Sequence, residues 1–146
     1  MNDSRICIAL DFQTKQDVKD FLDKFEDEKL YVKIGMELFY GEGIEMIKMI
    51  KEKGHKIFLD LKLHDIPNTV KSAMKQLAKL DVDMVNVHAS GSIAMMKAAI
   101  DGLNEGANGG KRPLCIAVTC LTSLDQKVLD DELLIHEPLE KVVLKW

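Results

Sequence analysis

The chain has 146 residues, 47% of them hydrophobic and 30% charged, with a net charge of −4. That length suits a single domain with a substantial core, and interspersed charges of both signs exclude the basic face of a nucleic-acid-binding protein. No apolar run approaches the ~20 residues that span a bilayer, and residues 1–5 lack the apolar segment of a secretory signal.

Residues 5–11, from Arg5 to an acid, Asp11, form a short apolar segment that reads as a first strand. Thr14 offers a helix N-cap with Asp17 behind it, and Val18, Phe21, Leu22 and Phe25 recur at helical spacing. Residues 31–38 read as a second strand, with Lys33 set among Val32, Ile34 and Met36. Ile44, Ile47 and Ile50 then mark a helix that Gly54 is placed to stop. Residues 56–63 are the third strand. Asn68 or Thr69 is expected to cap the next helix, whose apolar face is Val70, Ala73, Met74, Leu77 and Leu80. Residues 82–88 give a fourth strand, followed by a helix bearing Ile93, Met96, Ile100 and Leu103. A glycine-rich turn over 102–110 leads to a fifth strand over 114–122, and a last helix starts near Pro138.

Strands alternating with amphipathic helices imply an α/β fold with a parallel sheet. Asp11, Lys33, Asp60, Lys62 and His88 fall at or near strand ends that precede helices. In a (β/α)8 barrel that face builds the active site, whereas a doubly wound sheet gathers such residues at one switch point. The barrel is the better match, and no GxGxxG follows the first strand to suggest a dinucleotide site. A full barrel takes ~250 residues. Residues 1–146 therefore read as one domain, the N-terminal portion of a TIM barrel covering about five β/α units.

The most telling segment is Asp60-Leu61-Lys62-Leu63-His64-Asp65-Ile66-Pro67-Asn68-Thr69. On a strand, Asp60, Lys62 and His64 share one face and Leu59, Leu61 and Leu63 the other. Burying an acid and a base on an apolar strand is costly unless they pair. Asp65 opens the loop as a second carboxylate expected within reach of the same ammonium. Lys33, Asp60, Lys62 and Asp65 thus make a row of alternating sign in which each group favours the charged form of its neighbour. A lysine fixed between carboxylates suits stabilising and then protonating a carbanion.

Ala9-Leu10-Asp11, Val32-Lys33-Ile34-Gly35, the string from Phe58 to Thr69, Val85-Asn86-Val87-His88-Ala89 and Leu121-Thr122-Ser123 occur in that order. Together they resemble the bacterial type of the orotidine 5′-phosphate decarboxylase family. The resemblance implies a (β/α)8 barrel working as a homodimer, without metal or organic cofactor, that converts orotidine 5′-phosphate to UMP and carbon dioxide. It implies that Lys62 donates the proton to C6 and that Asp60 sits beside the substrate carboxylate. By the same likeness Lys33 completes the charge network and contacts the ribose, and Asp11 holds a ribose hydroxyl. Asp65, Ile66 and Thr69 reach the partner subunit's site, and Thr122 lies near the pyrimidine ring. Cys120 stands where the family often has glutamine, and Ser90-Gly91-Ser92 where it often has Ala-Gly-Gly. The family's closing loop, phosphate-gripping arginine and glycine-rich phosphate site belong to a C-terminal part with no counterpart in residues 1–146.

Other polar residues have plainer readings. Cys7, Cys115 and Cys120 form no CxxC pair, lie in or beside apolar segments, and are expected as small buried hydrophobes in a reducing, cytoplasmic setting. His88 is expected as a hydrogen-bonded structural histidine, and no ligand spacing such as HxxxH supports a metal site. The methionines read as core filling, and Lys48, Lys51, Glu52 and Lys53 as a solvated helix face. Two other functional readings stand beside the decarboxylase. One is a metal-dependent sugar-phosphate decarboxylase or aldolase, whose Asp-x-Lys-x-x-Asp usually continues Ala-Gly. The other is a non-catalytic barrel fragment that pairs with itself or with a complementary piece.

Overall fold

A computed structural model describes residues 6–25 and 27–146. Five parallel strands, β1 (Ile8–Ala9), β2 (Tyr31–Gly35), β3 (Lys56–Leu63), β4 (Met84–His88) and β5 (Leu114–Val118), lie side by side in chain order. Sequential order without reversal is the arrangement of a barrel wall, since a doubly wound sheet turns back at its switch point. The helices are α1 (Lys15–Leu22), α2 (Met36–Glu42), α3 (Ile44–Glu52), α4 (Pro67–Leu77), α5 (Ile93–Ala107), α6 (Gln126–Asp131) and α7 (Leu139–Lys145).

Alternation sorts the strands into two faces. Val32 and Ile34, Ile57, Leu59 and Leu61, and Val85 and Val87 are buried in one cluster with Val18, Leu22, Met46, Ile50, Met74 and Leu103 from the helices. Each such side chain contributes about 1.5–3 kcal/mol on burial, so this layer drives assembly. The opposite face of the strands carries Lys33, Asp60 and Asn86, and there burial costs free energy unless hydrogen bonds offset it.

Local chemistry explains where the elements depart from expectation. β1 is recognised only over Ile8–Ala9, although the Leu10 N–H still donates to the Lys33 carbonyl at 2.9 Å; Arg5, at the expected start, lies outside the described residues. β2 stops at Gly35, an extended N-cap from which α2 departs, so Met36 and Leu38 are helical. α4 begins at Pro67, with Ile66 as N-cap in place of Asn68 or Thr69, because proline needs no N–H acceptor in a first turn. α5 runs through Gly102 to Ala107, past the start of the expected turn. There Gly102 and Gly106 lie against α4, where a Cβ would come within 2.2 Å of the Lys71 carbonyl oxygen and 2.3 Å of the Lys75 one. β5 ends at Val118, short of Thr122, and α6 was not anticipated, although Asp125 caps it by accepting the Val128 N–H at 2.9 Å.

Three plain readings also change. Cys7 is exposed ahead of β1; Cys115 and Cys120 are half-buried, and all three are free thiols. Met46, Met74 and Met95 do fill the core, but Met36 is 45% exposed. The charged run on α3 is not simply solvated. Lys51 pairs with Asp83 at 3.1 Å and with Asp81 at 3.4 Å, and Lys53 pairs with Asp23.

Candidate active site

The polar residues meet at the carboxyl end of the sheet. β2 presents Lys33, whose Nζ lies 3.6 Å from Asp11 beyond β1 and 3.6 Å from Asp60 Oδ2 on β3. Asp60 is 8% exposed, and its Oδ1 accepts from Lys62 Nζ at 2.6 Å and from Asn86 Nδ2 at 2.6 Å. Burial by itself raises the Asp60 carboxyl. The hydrogen bonds from Lys62 and Asn86 and the charges of Lys62 and Lys33 outweigh it, so the group sits below the usual carboxylate range.

The backbone at Lys62 is irregular. The β3–β4 register shifts between Leu59 and Leu63, and Lys62 adopts φ +51°, a left-handed conformation that costs a residue with a Cβ about 1–2 kcal/mol. Its N–H is satisfied by Asn86 Oδ1 at 2.8 Å. Leu61 and Leu63 still pack with the core while Lys62 reaches Asp60, so the expected division of faces holds through the irregularity.

The expected charge row changes at one end. Asp65 does not pair with Lys62; it lies exposed past the strand, and its carboxylate accepts the N–H of Ile66 at 2.7 Å. Among the described residues the connected charged group is Asp11, Lys33, Asp60 and Lys62. Ile66 and Thr69 stand with Asp65 on the exposed entry to α4, where Ile66 is 67% exposed. Thr122 is exposed in a turn closed by the Leu124 N–H on the Leu121 carbonyl, apart from the charged group's contacts.

His88 packs against the ring of His64, with centroids 5.5 Å apart and the planes tilted by 40°. Burial, then the nearby His64 and Lys62, push its pKa down. Among the described residues no three His, Cys, Asp or Glu side chains converge to hold a metal ion.

Asn86 is the residue that the sequence reading passed over. It lies within the Val-Asn-Val-His-Ala string, but without a role; the available signal was a carboxamide flanked by two valines on a buried strand. Such a group must find partners.

Arranged this way, the site offers a cation held against an anion at a strand end, with a second lysine near the same carboxylate. It can receive an anionic, electron-rich centre beside Lys62 and pass it a proton.

Comparison with known proteins places the chain in a family. Residues 4–145 match the model of the orotidine 5′-phosphate decarboxylase / HUMPS family. The chain is 64% identical over 142 residues to orotidine 5′-phosphate decarboxylases of Bacillus cereus (strain AH187) and Bacillus anthracis (strain CDC 684 / NRRL 3495). In each case the match covers 97% of this chain and 60% of the relative, so the chain spans three fifths of the length of these curated relatives. Among solved structures, orotidine 5′-phosphate decarboxylase from Lactobacillus acidophilus superposes with a TM-score of 0.88 at 44% identity, covering 96% of this chain and 63% of that one. An uncharacterized conserved protein from Geobacillus kaustophilus superposes at 0.93 with 55% identity, covering 95% and 65%. The five parallel strands are thus the first units of a (β/α)8 barrel, and the chain belongs to the orotidine 5′-phosphate decarboxylase / HUMPS family.

Proposed function

We propose that this chain carries the acid–base part of an orotidine 5′-phosphate decarboxylase, a carboxy-lyase forming UMP and carbon dioxide in pyrimidine nucleotide synthesis. The observation that carries the reading is Lys62 Nζ held 2.6 Å from Asp60 at the carboxyl end of β3, in a chain of this family.

Breaking the bond between C6 and the carboxylate leaves an electron pair on C6. The Lys62 ammonium stabilises that pair electrostatically and then delivers its proton to C6, and solvent restores the lysine. Asp60, beside the substrate carboxylate, repels it in the ground state, and that repulsion falls as carbon dioxide leaves. The Lys62 contribution is the sounder one, because ground-state destabilisation needs a bound-substrate geometry to support it. Lys33 keeps Asp60 ionised and contacts the ribose, Asp11 takes a ribose hydroxyl, and Thr122 borders the pyrimidine ring. No organic cofactor or metal takes part.

The working unit is a homodimer in the cytoplasm, with Asp65, Ile66 and Thr69 completing the partner subunit's site. Ile66, 67% exposed ahead of α4, is accessible to such a partner.

The test is the loss of orotidine 5′-phosphate absorbance in the presence of a chelator. Residues 1–146 span three fifths of the relatives' length, so their own turnover is expected to be low, and the decarboxylase reading expects it unaffected by chelation. A metal-dependent sugar-phosphate enzyme would stop, although the Ile66-Pro67-Asn68-Thr69 continuation and the relatives' names favour the decarboxylase.

A further inference from the structure

Val85 and Val87 are buried toward the helices, so Asn86 between them turns to the opposite face, where it is 2% exposed beside the charged group. Both ends of its carboxamide are engaged, Nδ2 with Asp60 Oδ1 and Oδ1 with the N–H of Lys62. The amide's orientation is dictated: turned over, it would set oxygen against carboxylate and NH2 against N–H.

Two features of the site depend on this side chain. Lys62 keeps a left-handed backbone where the β3–β4 register fails, and such a conformation persists only where surrounding groups hold it. Asp60 has both strong donors on Oδ1, leaving Oδ2 with the longer 3.6 Å contact to Lys33.

We propose that Asn86 is a positioning residue for the reaction, clamping Lys62 and Asp60 into one unit and aiming Oδ2 of Asp60 at the open end of the site. Asn86 touches no reacting atom; it acts through its two neighbours. Its contribution to the reaction rests on the decarboxylase reading, but the clamp itself is measurable without turnover.

The experiment is NMR on the full 146-residue chain, unaltered and as Asn86→Ala and Asn86→Asp. The Asp60 side-chain carbon reports its titration, and amide exchange reports the Lys62 N–H. In Asn86→Ala the Asp60 midpoint moves up and Lys62 exchange accelerates about ten-fold, the factor for one lost hydrogen bond. Asn86→Asp keeps an acceptor for the Lys62 N–H but replaces the donor with a carboxylate. There Lys62 exchange stays slow while the Asp60 midpoint rises further. If Asn86→Ala does not fold, the isosteric Asn86→Asp decides. An unchanged Asp60 midpoint in the folded variants overturns the proposal, as does loss of the fold in both. Equal UMP formation by Lys62→Ala and the unaltered protein would count against the decarboxylase reading and leave these two readouts standing.

Discussion

The carboxamide oxygen of Asn86 accepts the backbone N–H of Lys62 at 2.8 Å, at the point where β3 and β4 lose register. A side chain there takes the place of a ladder bond, and the lysine leaves the strand in a left-handed conformation. Energetically, the buried anion Asp60 depends on two cations and an amide, Lys33, Lys62 and Asn86, with the exposed Asp11 at the edge of the group.

Removing the central anion should show this. In Asp60→Ala the buried Asn86 amide loses its acceptor and two ammonium groups lose their shared counter-ion. A cost of about 2 kcal/mol is expected, within the range for orphaned buried polar groups. Denaturant unfolding of a double-mutant cycle with Asn86→Ala checks it. The pair should cost clearly less than the sum of the singles, and strict additivity would show that the two residues are independent.

The α4–α5 contact gives a sharper steric prediction. Alanine at Gly102 gains about 1 kcal/mol in helix propensity, but its Cβ would come within 2.2 Å of a backbone oxygen. Overpacking against backbone costs about 1–3 kcal/mol, so Gly102→Ala and Gly106→Ala should each be net destabilising. Gly41→Ala, on α2 with nothing within 4 Å of the new Cβ, should be neutral or stabilising by about 0.5 kcal/mol. Thermal melts of the three variants decide it.

His55 should make stability fall on the acid side of neutrality. Its Nδ1 accepts the Leu30 N–H at 3.2 Å and the residue is 3% exposed. Burial, then the charges of Lys29 and Lys53, lower its pKa from the usual value. A depressed histidine contributes stability that is present above the unfolded value of about 6.5. That stability is lost as pH falls from there toward the folded value, where the native state must protonate. Unfolding free energies measured across pH 7.5 to 4.5, a range of about three units around that value, should decline less steeply in His55→Gln.

Asp83 and Lys51 form an ion pair whose partners should not be equivalent. Asp83 Oδ2 also accepts the Ile57 N–H at 2.9 Å, at the start of the core run of β3. Asp83→Ala should therefore cost about 1–2 kcal/mol by orphaning a backbone donor. Lys51→Ala loses its ion pairs with Asp83 and the exposed Asp81, together worth about 0.5 kcal/mol. Equal effects in urea unfolding would contradict this.

Much of this was legible in the residues. The alternation of valines, isoleucines and leucines marked β2, β3 and β4 and their helix-facing side, and Asp60 with Lys62 declared a pair that burial would demand. What escaped was tertiary in origin. Gly102 looks like a turn signal until α4 presses a carbonyl against it. Lys51 looks solvated until Asp83 arrives from just ahead of β4. Asp65 looks like a second partner for Lys62, but a local bond to the Ile66 N–H holds it in the loop. Asn86 carried no pattern of its own, because its partners lie on a neighbouring strand.

The central claim is that Lys62 delivers the proton that replaces carbon dioxide at C6. The most direct measurement is proton NMR of UMP formed from orotidine 5′-phosphate in D2O by the unaltered protein and by Lys62→Ala. UMP bearing deuterium at C6 from the unaltered protein, with none from the variant, is the predicted result. UMP formed equally by Lys62→Ala would contradict it.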